Sequence, residues 1–201
     1  MIVQSLRHAG WPVLLACASA VACSKTPATA DVFVNATLGG RSTCPVNSVT
    51  VVSAGGMTPG MQPMTVPEGT NNLNITCTVT PNGGGFDLQL DATQPGGNGG
   101  EFTVTGHVDG TNGGTVSTQW VSQMGLSYAQ SDCKLSYSYI GTPIPAAERI
   151  SAGNIWAHVS CPNAMDTGSS ISGTQQMAAD GGVINSICDG EADFLFSNCS
   201  Q

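Results

Sequence analysis

Basic residues are scarce in this chain, and charge of either sign is low. Only 9% of the residues are charged, and 5 Lys and Arg residues stand against 13 Asp and Glu residues, giving a net charge of −8. Because nucleic acid and anionic membrane faces attract basic surfaces, they are poor electrostatic partners for this chain. The shortage of Lys and Glu beside 26 glycines and 11 prolines also argues against a mainly helical protein.

Long apolar runs and several catalytic motifs are missing as well. The longest apolar run covers residues 11–22, which is well short of the roughly 20 residues that a membrane-spanning helix needs. The sequence contains no Cys-x-x-Cys pair, no G-x-S-x-G motif, and neither a phosphate-binding loop nor a dinucleotide fingerprint. We therefore expect no structural zinc site, no redox pair and no bound nucleotide.

The amino-terminus has the layout of a secretory signal peptide. Arg7 and His8 precede the apolar run 11–22, which closes on small residues immediately before Cys23. A second cysteine, Cys17, has too little apolar sequence ahead of it to mark a processing site. Ordinary cleavage after Ala30, which gives a secreted protein, is the alternative interpretation.

The residues Ala20-Val21-Ala22-Cys23 resemble the lipobox of bacterial lipoproteins, with Ala20 where the family usually has Leu. The resemblance implies a signal peptide over 1–22, a diacylated Cys23 that anchors the chain in a membrane, and a tether over 23–30. Because Ser24 rather than Asp follows the cysteine, it also implies sorting to the outer membrane. Residues 31–201 then form one exported domain, and the mature chain from Cys23 carries a net charge of −9 because Arg7 leaves with the signal peptide.

Six cysteines remain in that domain, an even number that favours disulfide bonds in an oxidising compartment. They are Cys44, Cys77, Cys133, Cys161, Cys188 and Cys199. Cys133 and Cys161 are the best candidates for a pair, because the runs 133–140 and 154–161 fold back around Pro143 and Pro145. Cys188 and Cys199 are expected to bond elsewhere, since a strand between them would hold them up to about 30 Å apart.

Apolar and polar residues alternate with a period of two in nine short segments, separated by turn sequences such as Asn82-Gly83 and Asp109-Gly110. This pattern predicts an all-β fold: an antiparallel β-sandwich, or as the alternative a partly closed β-barrel, stapled by disulfides. Helical turns are expected only at 146–150 and 174–179, and long surface loops at 57–70 and 163–174. The predicted strands are 31–38, 47–53, 72–79, 86–91, 101–109, 115–121, 133–140, 154–161 and 191–196.

Asp189, Glu191 and Asp193 form the densest acidic group and suggest a calcium site. Calcium needs more oxygen ligands than these three supply, so a solvated strand edge is the favoured interpretation. His107 and His158 fall on predicted polar strand faces. They are interpreted as solvated histidines rather than as members of a hydrolase triad.

Trp156, Trp120 and Tyr128 are candidates for a platform on which sugar rings stack, although a buried tryptophan is the commoner arrangement. Taken together, the sequence predicts a membrane-anchored surface lipoprotein with a structural or binding role and no enzymatic activity or cofactor. Its expected partners are the membrane, through the lipid, and an envelope protein or glycan. A carbohydrate-binding module and a small secreted hydrolase are the alternatives.

Overall fold

The computed structural model describes residues 29–58, 61–96, 99–122, 125–167 and 186–201. These residues are mostly antiparallel β-structure, so the predicted all-β fold with disulfides is confirmed. The only described α-helix, α1, has 4 residues, and no described helix is long and apolar enough to cross a membrane. The elements are β1 (Asp31–Gly39), β2 (Ser48–Ala54), β3 (Val66–Pro67), β4 (Asn74–Asn82), β5 (Gly85–Thr93), β6 (Gly100–Asp109), β7 (Gly114–Ser122), β8 (Ser127–Ser136), β9 (Ser138–Tyr139), β10 (Thr142–Pro143), α1 (Ala146–Arg149), β11 (Ile150–Ser151), β12 (Asn154–Asp166) and β13 (Ile187–Ser197).

One 11-stranded sheet organises the described chain, in the order β2-β1-β13-β12-β8-β7-β6-β5-β4, with β3 on β1 and β11 on β12. Strands β4 to β8 form a meander in which each strand pairs with the next. Strand β1 lies between β2 and β13, so early and late parts of the sequence are neighbours. Strands β9 and β10 form a separate hairpin.

The sheet curls into a half-barrel, close to the partly closed alternative predicted from the sequence. Edge strand β2 meets the start of β6, where the Cβ position of Gly100 lies only 2.8 Å from the carbonyl oxygen of Val51. The other edge, β4, is covered by the chain's last residues, because Ser200 exchanges backbone hydrogen bonds with Cys77 and Val79. The chain itself therefore covers part of each edge, which limits pairing with another chain there.

The concave face of the sheet holds the main core. Phe102 packs with its ring centroid 5.9 Å from Trp120 and 5.9 Å from Phe194, and all three side chains are fully buried. Gly190 of β13 faces the same core, and a Cβ atom there would lie 2.6 Å from Cζ2 of Trp120. The indole ring therefore occupies the space that a side chain at position 190 would need.

All six domain cysteines form disulfides. Cys133–Cys161 is the predicted pair, and β8 and β12 bring the two residues opposite each other, with Cα atoms 4.5 Å apart. Cys188 and Cys199 bond elsewhere, as predicted, in the pairs Cys44–Cys188 and Cys77–Cys199. The last pair fastens the carboxy-terminal residues to edge strand β4.

The predicted helical turn at 146–150 is confirmed by α1, whereas the one at 174–179 lies outside the described residues. The predicted loop at 57–70 is interrupted by β3, because Val66 and Pro67 pair with the start of β1. The predicted loop at 163–174 begins too early, since β12 continues to Asp166 beyond a shift in register after Cys161. The run 133–140 is not one strand either, because β8 starts at Ser127 and ends at Ser136.

Candidate functional site

A second, smaller apolar cluster lies on the convex face of the sheet. Phe33, Leu195 and Trp156 are aligned across β1, β13 and β12. The residues before and after each of them belong to the concave core, so these three side chains lie on the opposite face of the sheet. The Tyr139 ring covers them, with its centroid 6.0 Å from that of Phe33 and 5.4 Å from that of Trp156. The β9–β10 hairpin is thus packed onto the convex face.

A cavity of about 570 Å³ opens beside this cluster, between the hairpin, α1 and the segment around Met61. Its walls are mainly apolar. They are formed by Met61, Gln62, Tyr139, Ile140, Thr142, Pro143, Ile144, Pro145, Glu148 and Trp156. A neighbouring cavity of about 370 Å³ shares Gln62 and Glu148 with it. The two together form a groove, called the hairpin groove below.

Two polar atoms in the walls of the hairpin groove have no hydrogen-bond partner among the described residues. They are the indole nitrogen of Trp156 and the hydroxyl oxygen of Tyr139. Buried polar atoms are nearly always paired in proteins. Both atoms are themselves buried, so they lie behind the surface of the groove and do not face its open space.

An ionic cluster adjoins the groove on the same convex face. His158 of β12 lies between two carboxylates of β13, with Nε2 2.8 Å from Glu191 Oε2 and Nδ1 3.0 Å from Asp193 Oδ1. Ser160 donates a hydrogen bond of 2.8 Å to the other oxygen of Glu191. Strand pairing creates this arrangement, because His158 is directly opposite Asp193 and Ser160 is opposite Glu191.

The cluster fixes the charge of its members. Hydrogen bonds to Asp193 and Glu191 raise the pKa of His158 to about 9, although partial burial opposes the shift. The hydrogen bond from His158 also lowers the pKa of Glu191. Burial, with the charge of Asp193 nearby, raises the pKa of Tyr139. At neutral pH this surface therefore carries one imidazolium between two carboxylates, beside a neutral phenol.

No family model, curated protein or solved structure matches the chain.

The ionic cluster lacks the arrangement of a hydrolase. A general base must be neutral to accept a proton, whereas His158 is protonated at neutral pH. The nearby hydroxyl, that of Ser160, donates to Glu191 and not to the imidazole. His107 is half exposed and pairs with Asp87 at 2.7 Å, in keeping with the predicted solvated histidine. For His158 that prediction is wrong, because the side chain is mostly buried between two carboxylates.

The acidic residues of β13 are not on a strand edge, because β13 lies between β1 and β12. Asp189 accepts a 2.6 Å hydrogen bond from Arg41 Nε, and Glu191 and Asp193 are paired with His158. Among the described residues, no group of three His, Cys, Asp or Glu side chains is arranged to hold a metal ion. The calcium hypothesis therefore finds no support among the described residues. The strand-edge part of the favoured interpretation is wrong, whereas the side chains of Asp189 and Glu191 are solvated, at 36% and 47% exposed.

The proposed aromatic platform does not form. Trp120 and Tyr128 pair across β7 and β8 on the concave face and are fully buried, so neither can stack on a sugar. Trp156 alone reaches the hairpin groove, and it is only 5% exposed. Cys23, Cys17 and the cleavage site lie outside the described residues.

The predicted strand 133–140 puts Tyr139 on the same face as Cys133, because alternation has a period of two and the two residues are six positions apart. The sequence therefore does not predict the hairpin groove. The backbone leaves the strand after Ser136, and Tyr139 crosses to the convex face. A signal was present in the alternation itself. Phe33, Trp156 and Leu195 occupy strand positions where the alternation calls for polar residues. Apolar residues at such positions predict that both faces of the sheet are covered there.

Proposed function

We propose that this protein is an exported lipoprotein of the cell envelope, held in the outer membrane by a diacylated Cys23, with a structural or binding role. The observation that carries the proposal is the pairing of all six domain cysteines, since disulfides form and persist in oxidising compartments outside the cytoplasm. The lipobox-like sequence 20–23 supplies the anchor. A simply secreted protein, cleaved after Ala30, is the alternative.

The proposal includes no catalytic activity. In support, the titratable side chains that come together on the described surface are engaged with one another, as in the pairs His158–Glu191, His107–Asp87 and Arg41–Asp189. A catalytic base or nucleophile needs a group free to exchange a proton with a substrate. The hairpin groove is instead suited to holding a partner, an envelope protein or a glycan.

The anchor is tested by mass analysis of the protein from the cell-envelope fraction. We expect the amino-terminal residue to be Cys23 with a diacylglyceryl group, and a Cys23→Ser variant to leave the membrane fraction. The Cys17→Ser variant is the matched control and should remain anchored, because Cys17 leaves with the signal peptide. An unmodified mature chain that begins at Asp31 would contradict the proposal.

Carbohydrate binding in the hairpin groove is a second candidate function, favoured by apolar walls that also carry the polar atoms of Gln62, Thr142 and Glu148. Sugars combine apolar ring faces with hydroxyl groups that can pair such atoms. A glycan array should then give signals that Thr142→Val weakens without changing the thermal midpoint, because Thr142 is an exposed residue of the groove wall. Thr105→Val is the matched control, because Thr105 is an exposed threonine of β6 outside the groove. An array without signals would eliminate this candidate.

A further inference from the structure

The large exposed apolar side chains of the described residues are unevenly distributed. Met57, Met61, Met64 and Ile140 are 40%, 64%, 66% and 51% exposed, and they lie at the end of the sheet where β1 begins. We call these four residues the apolar tip. Met165, which is 52% exposed, lies at the opposite end, where β13 begins.

Strand pairing places the apolar tip next to the first residues of β1. Met64 bridges to Gly56, and β3, two residues after Met64, pairs with Asp31 and Val32. Ile140 and Met61 line the same cavity, and Ser197, which is opposite Asp31, lines the adjoining one. The apolar tip and the amino-terminal entry into the fold therefore share one end of the molecule.

Ile140 occupies its position in the apolar tip at a cost in backbone energy. Its φ is 49°, and with Gly141 it makes the two-residue turn between β9 and β10. Asn or Gly is the usual residue at such a position, and a β-branched side chain there is a genuine outlier. An apolar residue has thus been placed in a strained, solvent-facing turn, an arrangement common at functional surfaces.

The reach of the tether identifies what covers this surface. Seven residues, 24–30, separate Cys23 from β1, and fully extended they span at most about 25 Å. We infer that the apolar tip rests on the surface of the lipid bilayer, so that the domain contacts the membrane through protein as well as through its lipid. This inference depends on the proposed acylation of Cys23.

The charge at this end favours a zwitterionic surface. Asp31 begins β1, Glu68 follows β3 and Glu148 is in α1 beside the hairpin groove. Carboxylates are repelled by anionic lipids, whereas apolar side chains enter the headgroup region of any lipid. Vesicles of phosphatidylethanolamine and phosphatidylcholine are therefore the appropriate probe.

Methionine oxidation tests the inference without a substitution, because Met165 is a matched exposed control in the same chain. The lipidated protein in those vesicles is treated with hydrogen peroxide, and sulfoxide formation at each methionine is followed by peptide mass analysis. The unlipidated chain from Ser24, free in solution, is the reference. We expect Met61 and Met64 to be oxidised about fivefold or more slowly on vesicles, with Met165 unchanged.

A second arm separates this inference from the proposed acylation. The chain from Ser24 with an amino-terminal hexahistidine is bound to vesicles that contain a nickel-chelating lipid. It is therefore anchored at its amino-terminal end without any acylation of Cys23. Protection of Met61 and Met64 in this arm supports the inference. If Met61 and Met64 are oxidised as fast on vesicles as in solution in both arms, the inference is overturned. It is also overturned if these methionines become protected without vesicles as the protein concentration rises, because that result indicates that a second copy of the chain covers the apolar tip. If mass analysis shows that the native chain is not acylated, only the proposed anchor is refuted, because the nickel-lipid arm does not depend on Cys23.

Discussion

The contact between Gly190 and Trp120 predicts a specific sensitivity of the core. In Gly190→Ala, the new Cβ would lie 2.6 Å from Cζ2 and 2.7 Å from Cη2 of the indole ring. Ordinary contacts between such atoms are about 3.5 to 4 Å, so the ring must move by about 1 Å. Because Trp120 is fully buried against Phe102, that movement disturbs the close packing around it.

Overpacking of this kind costs about 1 to 3 kcal/mol of unfolding free energy. For a domain of this size each kcal/mol lowers the melting temperature by about 2 to 4 °C, so we expect a loss of about 2 to 12 °C. Gly110→Ala is the matched control. A Cβ there meets Phe86 at 3.5 Å and Ile150 at 3.8 Å, which is ordinary contact.

Urea unfolding followed by tryptophan fluorescence, with calorimetry in parallel, measures both variants. A Trp120→Phe substitution shortens the ring, and a double-mutant cycle with Gly190→Ala should give a favourable coupling of about 1 kcal/mol or more. Equal stabilities of the Gly190→Ala and Gly110→Ala variants, or absence of coupling, would refute the packing argument.

A midpoint that rises with added calcium would restore the metal interpretation of Asp189 and Glu191.

Two further predictions concern the disulfides and the ionic cluster. A Cys133→Ala, Cys161→Ala double variant should lose about 3 to 4 kcal/mol in urea unfolding, the chain-entropy value for its 28-residue separation, yet keep its β circular dichroism; unchanged stability would contradict this. The pKa of His158 is about 9 against an ordinary 6.5, so its ion pairs stabilise the fold fully below pH 6.5, and that contribution is lost as the pH rises through 9. The stability difference between the wild type and His158→Gln should therefore shrink over that range, and a constant difference at fixed ionic strength would argue against the cluster.

The strands were predictable because alternation is a local property. One face of each strand meets the concave core, so residues such as Val104 and Leu90 recur at every second position. The Cys133–Cys161 pair was predictable for the same reason, because the two strands are close in sequence. The fold class and this disulfide follow from short-range pattern.

The ionic cluster and the hairpin groove depend on long-range register, which alternation does not encode. Glu191 and Asp193 meet His158 only because β13 pairs with β12 in one register, and a shift of one residue would turn these side chains to the other face. Tyr139 reaches the groove through a break in its strand. Charge and aromatic content alone indicated candidate residues but not their neighbours.

On the proposed export route, the position of β1 between β2 and β13 has a consequence for the order in which the disulfides form. Cys133 and Cys161 emerge close together and can pair early, whereas Cys44 and Cys77 must wait for partners 144 and 122 residues further along the chain. Until residues 187–199 emerge, these two thiols lack their native partners and can be oxidised to each other. Reaching the native pairs from that intermediate requires thiol–disulfide exchange. Maturation should therefore be slow, as expected for non-local strand pairing, and dependent on an isomerase in the receiving compartment.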